Sequence, residues 1–257
     1  MRVLVVALHK GGVAKTTTAV NLAAGLAQAG HRTLLVDADA QAHATEMFIP
    51  DEDTIGGDLS DVLVRRHPIT KVIQPTRIAC LDLLPATLGL ARLEIDLVSM
   101  TQREFQLRRA VTQLANDYTY VVVDTAPSLS LLSINALAAA SDLIVPVAAQ
   151  YRAVKALRMF LNWVEDFRDE DVVTAELAGT LVTLHDGRTR VARHVVEALA
   201  GRSDLRLFNS VIPRRIGVED EVAGRRVLGD DGTTLEVATA YRSLTQEVLD
   251  RTGNPRG

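Results

Sequence analysis

The chain has 257 residues, 28 Lys and Arg against 32 Asp and Glu for a net charge of −4, 47% hydrophobic residues and a single cysteine. The length is ample for one large α/β domain whose core needs no staples. Cys80 alone excludes an intrachain disulfide, a zinc knuckle, a CxxC redox pair and a cysteine-ligated iron–sulfur centre; it implies a reducing compartment, and the thiol is expected to be a small buried hydrophobe.

In chain order, the apolar run 3–8 reads as a first strand. It is too short for a signal-peptide core or a membrane span, and no later run approaches membrane length. A helix is expected over 15–29, a strand over 33–37, and then a stretch, 41–77, with turn signals and a short helical pattern near 59–64. Strands follow at 81–84, 120–124, 143–147, 177–184 and 211–212. Helices are expected over 90–116, 131–140, 153–167, 190–200 and 235–251. The strand runs are apolar on both faces, which suits buried parallel strands. Their alternation with helices argues a doubly wound, mostly parallel α/β sheet forming a single domain over 1–257. A ligand then belongs beyond the carboxyl ends of the strands.

The first loop, His9-Lys10-Gly11-Gly12-Val13-Ala14-Lys15-Thr16-Thr17, leaves a strand and opens a helix. In that context a glycine-rich sequence is a phosphate cradle: backbone N–H groups aim at phosphate oxygens and the helix N-terminus adds partial positive charge. Lys15 would reach the β- and γ-phosphates, and the Thr16 hydroxyl would ligate Mg²⁺. Of 24 Arg and 4 Lys, two lysines, Lys10 and Lys15, fall in this loop, which suits compact ammonium charges at phosphates. His9 and Ala14 stand where the general GxxxxGK[ST] pattern has glycine, and an alanine at a position of positive φ carries strain.

The segment Lys10 to Thr17 resembles the deviant Walker A loop of the ParA/Soj/MinD family of ATPases. Two further segments carry the likeness. Val36-Asp37-Ala38-Asp39 ends the second strand on two carboxylates; the resemblance implies that Asp39 positions the attacking water near the metal and that Asp37 supports the magnesium shell or the loop. The family's usual Pro-Gln-Gly is here Ala40-Gln41-Ala42. Tyr120-Val121-Val122-Val123-Asp124-Thr125-Ala126-Pro127 has the form of a Walker B strand, whose Asp124 can hold Mg²⁺ through its water shell. No guanine-reading Asn-Lys-x-Asp occurs, so the cofactors expected are ATP and Mg²⁺. The likeness covers about nine-tenths of the chain and is closest to short, Soj-type ParA proteins. It implies nucleotide contacts at residues 10–17 and at Pro213. It also implies that Lys10 crosses a two-fold interface to the partner's phosphates, so that ATP is sandwiched in a homodimer. Gln150 stands where many members carry glutamate.

From Arg188 to Arg226 nine arginines face five acids, a local net of +4. Arg188, Arg190 and Arg193 are expected to open a helix, and Arg214 and Arg215 to follow the last strand. By resemblance Arg188 and Arg214 match basic positions that hold DNA, and with Arg190 and Arg215 they are expected to bind double-stranded DNA without reading its sequence. The function implied is a slow, ATP-dependent dimerising switch that segregates a chromosome or plasmid with a ParB-type partner, cytoplasmic and nucleoid-associated, with no membrane expected. Two alternatives are a MinD-like membrane-associated ATPase, which needs an amphipathic anchor that the balanced tail 240–251 resembles poorly, and a relative that positions a protein cargo. The serines at 128, 130 and 133 are expected to cap or line the helix after Asp124.

Overall fold

The computed structural model describes residues 1–214, 227 and 235–253. Its strands are β1 (Arg2–Val6), β2 (Thr33–Ala38), β3 (Gln74–Pro75), β4 (Leu81–Leu84), β5 (Tyr120–Thr125), β6 (Asp142–Ala148), β7 (Glu176–His185) and β8 (Val211–Pro213). They form one sheet in the order β3-β4-β2-β5-β1-β6-β7-β8. Every pair is parallel except β3 with β4, as the doubly wound reading expects.

The helices are α1 (Lys15–Gln28), α2 (His43–Glu46), α3 (Leu59–Leu63), α4 (Ile69–Val72), α5 (Leu90–Val98), α6 (Gln106–Thr112), α7 (Leu131–Ala139), α8 (Ala153–Asp169), α9 (Arg190–Ala200) and α10 (Leu235–Thr252). They explain why the strands are apolar on both faces. Leu4, Val6, Val122 and Ile144 pack with residues of α1 and α10, whereas Val3, Val5, Val121 and Val145 pack with α5, α7 and α8. Each such fully buried side chain contributes roughly 1.5–3 kcal/mol. Gly25 lets α1 close on α10, because a Cβ there would run into the Thr245 hydroxyl.

The structure corrects the sequence reading in three places. The helix expected over 90–116 is broken into α5, a 3₁₀ turn at Arg103–Phe105 and α6. Gln102 takes φ 51 at the break, and the buried Asn135 of α7 satisfies its loose ends: its amide donates to the Arg103 carbonyl at 2.7 Å and accepts the Leu107 N–H at 3.2 Å. Cys80 is exposed, not buried; it occupies the turn that leads into β4, at φ 65. Arg188 lies in the turn before α9, and only Arg190 and Arg193 belong to the helix.

Within 41–77 the short helical pattern near 59–64 is α3, fixed by a reciprocal capping box between Asp58 and Asp61. The sequence reading did not place α2, α4 or the edge strand β3. Ser130 caps α7 by accepting the Ser133 N–H, as expected. Among the described residues no helix is long and apolar enough to cross a membrane. Val237, Tyr241, Leu244 and Val248 of α10 are buried in the core, so the apolar face of this helix is not free to serve as an anchor.

Candidate functional site

Three neighbouring strands of the sheet's centre bring the strand-end carboxylates and the first loop together. β1 pairs with β5 so that Val6 faces Asp124, and β5 pairs with β2 so that Asp124 faces Asp37. The loop leaving β1 is pinned from both sides. Thr125 donates its hydroxyl to the Val6 carbonyl at 2.9 Å, and Thr183 of β7 donates to the Val13 carbonyl at 3.0 Å. Neither threonine is marked by its local sequence, because each acts on a loop more than a hundred residues away.

The loop carries the positive φ angles that a phosphate cradle needs. Gly12 has φ 66, and a Cβ on it would meet nothing within 4 Å. Ala14, the N-cap of α1, sits at φ 61, ψ 38, and Ala42, the N-cap of α2, at φ 54, ψ 26; neither cap has a side-chain hydrogen bond. Both alanines therefore hold left-handed backbone that glycine adopts freely. Ala14→Gly is expected to raise the unfolding free energy of the nucleotide-free protein by roughly 0.5–1 kcal/mol, the relief of strain outweighing the added entropy of the unfolded chain. Urea denaturation checks this, and an unchanged or lower midpoint would contradict it.

Lys15 is buried, and its ammonium donates to the Lys10 carbonyl at 3.1 Å. Burial lowers its pKa, while the nearby Asp124 and Asp39 carboxylates oppose that shift. Asp124 is fully buried, and neither of its carboxylate oxygens has a hydrogen-bond partner. Burial, then the adjacent Asp37 charge, push its pKa well up. The nearby Thr16 side chain and Lys15 favour the charged form, although Thr16 makes no hydrogen bond to it at ordinary geometry. Asp37 is also fully buried but well satisfied. It accepts the Thr45 N–H and hydroxyl, both at 2.8 Å, and the Asp39 N–H at 3.1 Å. Burial raises its pKa to about 6 against those hydrogen bonds. Asp39, buried, accepts the Gln41 N–H at 2.9 Å. Thr45 is a site residue that the sequence did not reveal: it joins Asp37 to the Ala86 N–H, which its hydroxyl accepts at 2.9 Å.

The sequence-derived candidates thus fall into two places. Lys10, Gly11, Gly12, Val13, Ala14, Lys15, Thr16 and Thr17 form the loop and the start of α1, with Asp39 and Asp124 at the ends of adjacent strands. Pro213 ends β8, three strands from β1 but beside β7, whose Thr183 holds the loop at Val13. Arg214 follows it, and its N–H donates to the His185 carbonyl at 2.9 Å. The His185–Pro213 register brings Arg214 beside the turn that carries Arg188, with Arg190 at the start of α9. Arg215 lies outside the described residues, as do Arg225 and Arg226.

The residues present fit a magnesium-bound polyphosphate. Two orphaned carboxylate oxygens fully buried beside a buried lysine are costly unless a cationic group arrives. Among the described residues no three His, Cys, Asp or Glu side chains gather into a protein-only metal cage. Magnesium usually keeps waters and phosphate oxygens and takes only one or two carboxylates, which the strand-end carboxylates can supply.

A protein-family profile described as an AAA domain matches residues 1–177. The chain is 37% identical over 219 residues to a chromosome partitioning protein ParA of Myxococcus xanthus, covering 85% of this chain and 77% of that one. It is 34% identical over 248 residues to the sporulation initiation inhibitor protein Soj of Bacillus subtilis, covering 96% and 98%. Among solved structures it resembles cobyrinic acid a,c-diamide synthase from Mycobacterium smegmatis with bound ADP and magnesium, at TM-score 0.85 and 34% identity, over 98% of this chain and 95% of that one.

Proposed function

The chain belongs to the ParA/Soj family of partitioning ATPases, and on that premise we propose that residues 1–257 act as one ATP-dependent dimerising switch that binds DNA without sequence preference. The single observation that carries the nucleotide half of this reading is the buried Lys15 beside the orphaned Asp124 carboxylate. The protein is an ATPase and its cofactors are ATP and Mg²⁺.

Lys15 would exchange the Lys10 carbonyl for phosphate oxygens, and the N–H groups of residues 11–16 would cradle the same phosphates. Thr16 and Asp124 would hold the magnesium, with Asp39 nearest the attacking water. Bound magnesium supplies positive charge to the phosphate oxygens. Asp37, already tied to Thr45 and Asp39, would keep the second acidic loop in place. Pro213 would line the site at the base end of the nucleotide.

Lys10, on the rim of the loop, would act on the phosphates of a second copy, so that transition-state charge is neutralised only in the dimer. Leu129 and Tyr151, exposed at 49% and 78%, lie at the same carboxyl edge and would face that second copy. The DNA half rests on Arg188, Arg190 and Arg214 gathered at that same edge, with Arg215 next in sequence. In a cell this switch would work on the nucleoid with a ParB-type partner that stimulates hydrolysis.

The test is binding to an arbitrary duplex with ATP, ADP or no nucleotide across a salt series. Binding is expected only with ATP, falling steeply with salt, and about tenfold weaker for Arg214→Ala at low salt. Indifference to nucleotide, or to the loss of Arg214, would remove the DNA half of the reading and move a membrane or protein cargo forward.

A further inference from the structure

We infer that Asp186 is a built-in competitor for the phosphate that Arg188 would take from DNA, so that the duplex must displace a carboxylate before this arginine contributes to binding. The inference rests on the DNA-binding reading above and names a control on that surface. β7 ends at His185, and the turn Asp186-Gly187-Arg188-Thr189 leads into α9, which Thr189 caps by accepting the Ala192 N–H.

Within that turn three donors converge on one carboxylate. The Arg188 N–H reaches Asp186 Oδ1 at 3.1 Å, Arg188 Nε reaches the same oxygen at 2.9 Å, and Arg188 Nη2 reaches Oδ2 at 2.8 Å. A backbone N–H plus the side-on fork of a guanidinium is a donor set that a phosphate also takes. Yet the Arg188 side chain is 91% exposed, so the pair lies open to solvent and to any polyanion that approaches this edge. The Arg214 backbone is fastened to His185 next door, and its charge acts on the same carboxylate.

The carboxylate does not release by titration. Its hydrogen bonds from the Arg188 side chain and then from the Arg188 N–H, with Coulomb help from Arg214, hold the Asp186 carboxyl at about 2, so it is ionised throughout the physiological range. A duplex offers several phosphates at once and releases counterions as it binds, which an isolated carboxylate cannot match.

The experiment compares DNA binding by the full chain with ATP for the wild type, Asp186→Asn, Arg188→Ala and the double variant across a salt series. Asparagine keeps an oxygen for the Arg188 N–H and so preserves the turn. Asp186→Asn is expected to bind about three- to tenfold more tightly at low salt. Its log–log salt slope should be steeper by about 0.9, one phosphate neutralised in addition. The gain should vanish in the Arg188→Ala background. Equal or weaker binding by Asp186→Asn would overturn the inference, since Asp186 would then be ordering Arg188 for DNA. A gain that persists without Arg188 would overturn it too, as a general charge effect. Failure of the wild type to bind any duplex with ATP is a separate result that sinks the DNA reading itself and the inference with it.

Discussion

Lys15→Ala is expected to reduce ATP hydrolysis by at least about a hundredfold, the scale of losing one preorganised charge at a developing anion, and to remove the thermal stabilisation that ATP and magnesium give the wild type. The second readout separates binding from chemistry. A ligand at a hundred times its dissociation constant stabilises the folded state by about 2.7 kcal/mol, so a variant that no longer holds the phosphates shows no shift of melting temperature on adding nucleotide. The fold should survive the change, because α1 is anchored by Val20, Leu22 and Leu26 in the core and not by its first residue. The Lys15 ammonium donates to the Lys10 carbonyl, a group a water molecule can take over. Full activity in Lys15→Ala would mean that another cation does this work and would end the present assignment.

The parts of this site that could be read from the sequence are those whose meaning is local. Gly11, Gly12, Lys15 and Thr16 are contiguous, directly follow a strand and open a helix. Asp37, Asp39 and Asp124 each end an apolar run, so a parallel sheet sends them to its carboxyl edge. The left-handed backbone at Ala14 was foreseeable because the position is glycine in the loop it resembles; Ala42 is the same case in the second loop. What escaped was set by contacts remote in sequence. Nothing near residue 102 announces that Asn135 will fill a break in the helix expected over 90–116, and nothing near Thr183 says that its hydroxyl will hold the phosphate loop at Val13. Cys80 misled for a related reason: its residue type favours burial, but a positive-φ turn into β4 took precedence over side-chain preference. In the same way Arg188 reads as one more helix-opening cation until the turn geometry shows it already engaged by Asp186.

Asp124→Asn is expected to make the nucleotide-free protein more stable above neutral pH while abolishing magnesium-dependent hydrolysis. The sign follows from the register of β2 and β5, which sets the fully buried Asp37 and Asp124 opposite one another. Both carboxyls have folded-state pKa values raised above those of the unfolded chain, by burial first. The folded state then binds more protons than the unfolded state between those values. Stability is therefore full only well below the ordinary aspartate value of about 3.9, where both states are protonated, and falls as pH rises through about 6, the value to which Asp37 is pushed, and through the raised value of Asp124. Asparagine keeps the shape and removes one of the two charges, so the fall flattens and the melting temperature at pH 8 rises relative to wild type. Lys15 loses one counter-charge but keeps Asp39. Hydrolysis fails for the reason stability improves: the buried carboxylate without a hydrogen-bond partner, costly by itself, is the anion that magnesium requires. Melting curves from pH 4 to 8, with and without magnesium and ATP, test both halves together. A variant less stable than wild type at pH 8, or one that still hydrolyses ATP with magnesium at the wild-type rate, would show that the buried Asp124 charge is compensated in some other way and does not serve the metal.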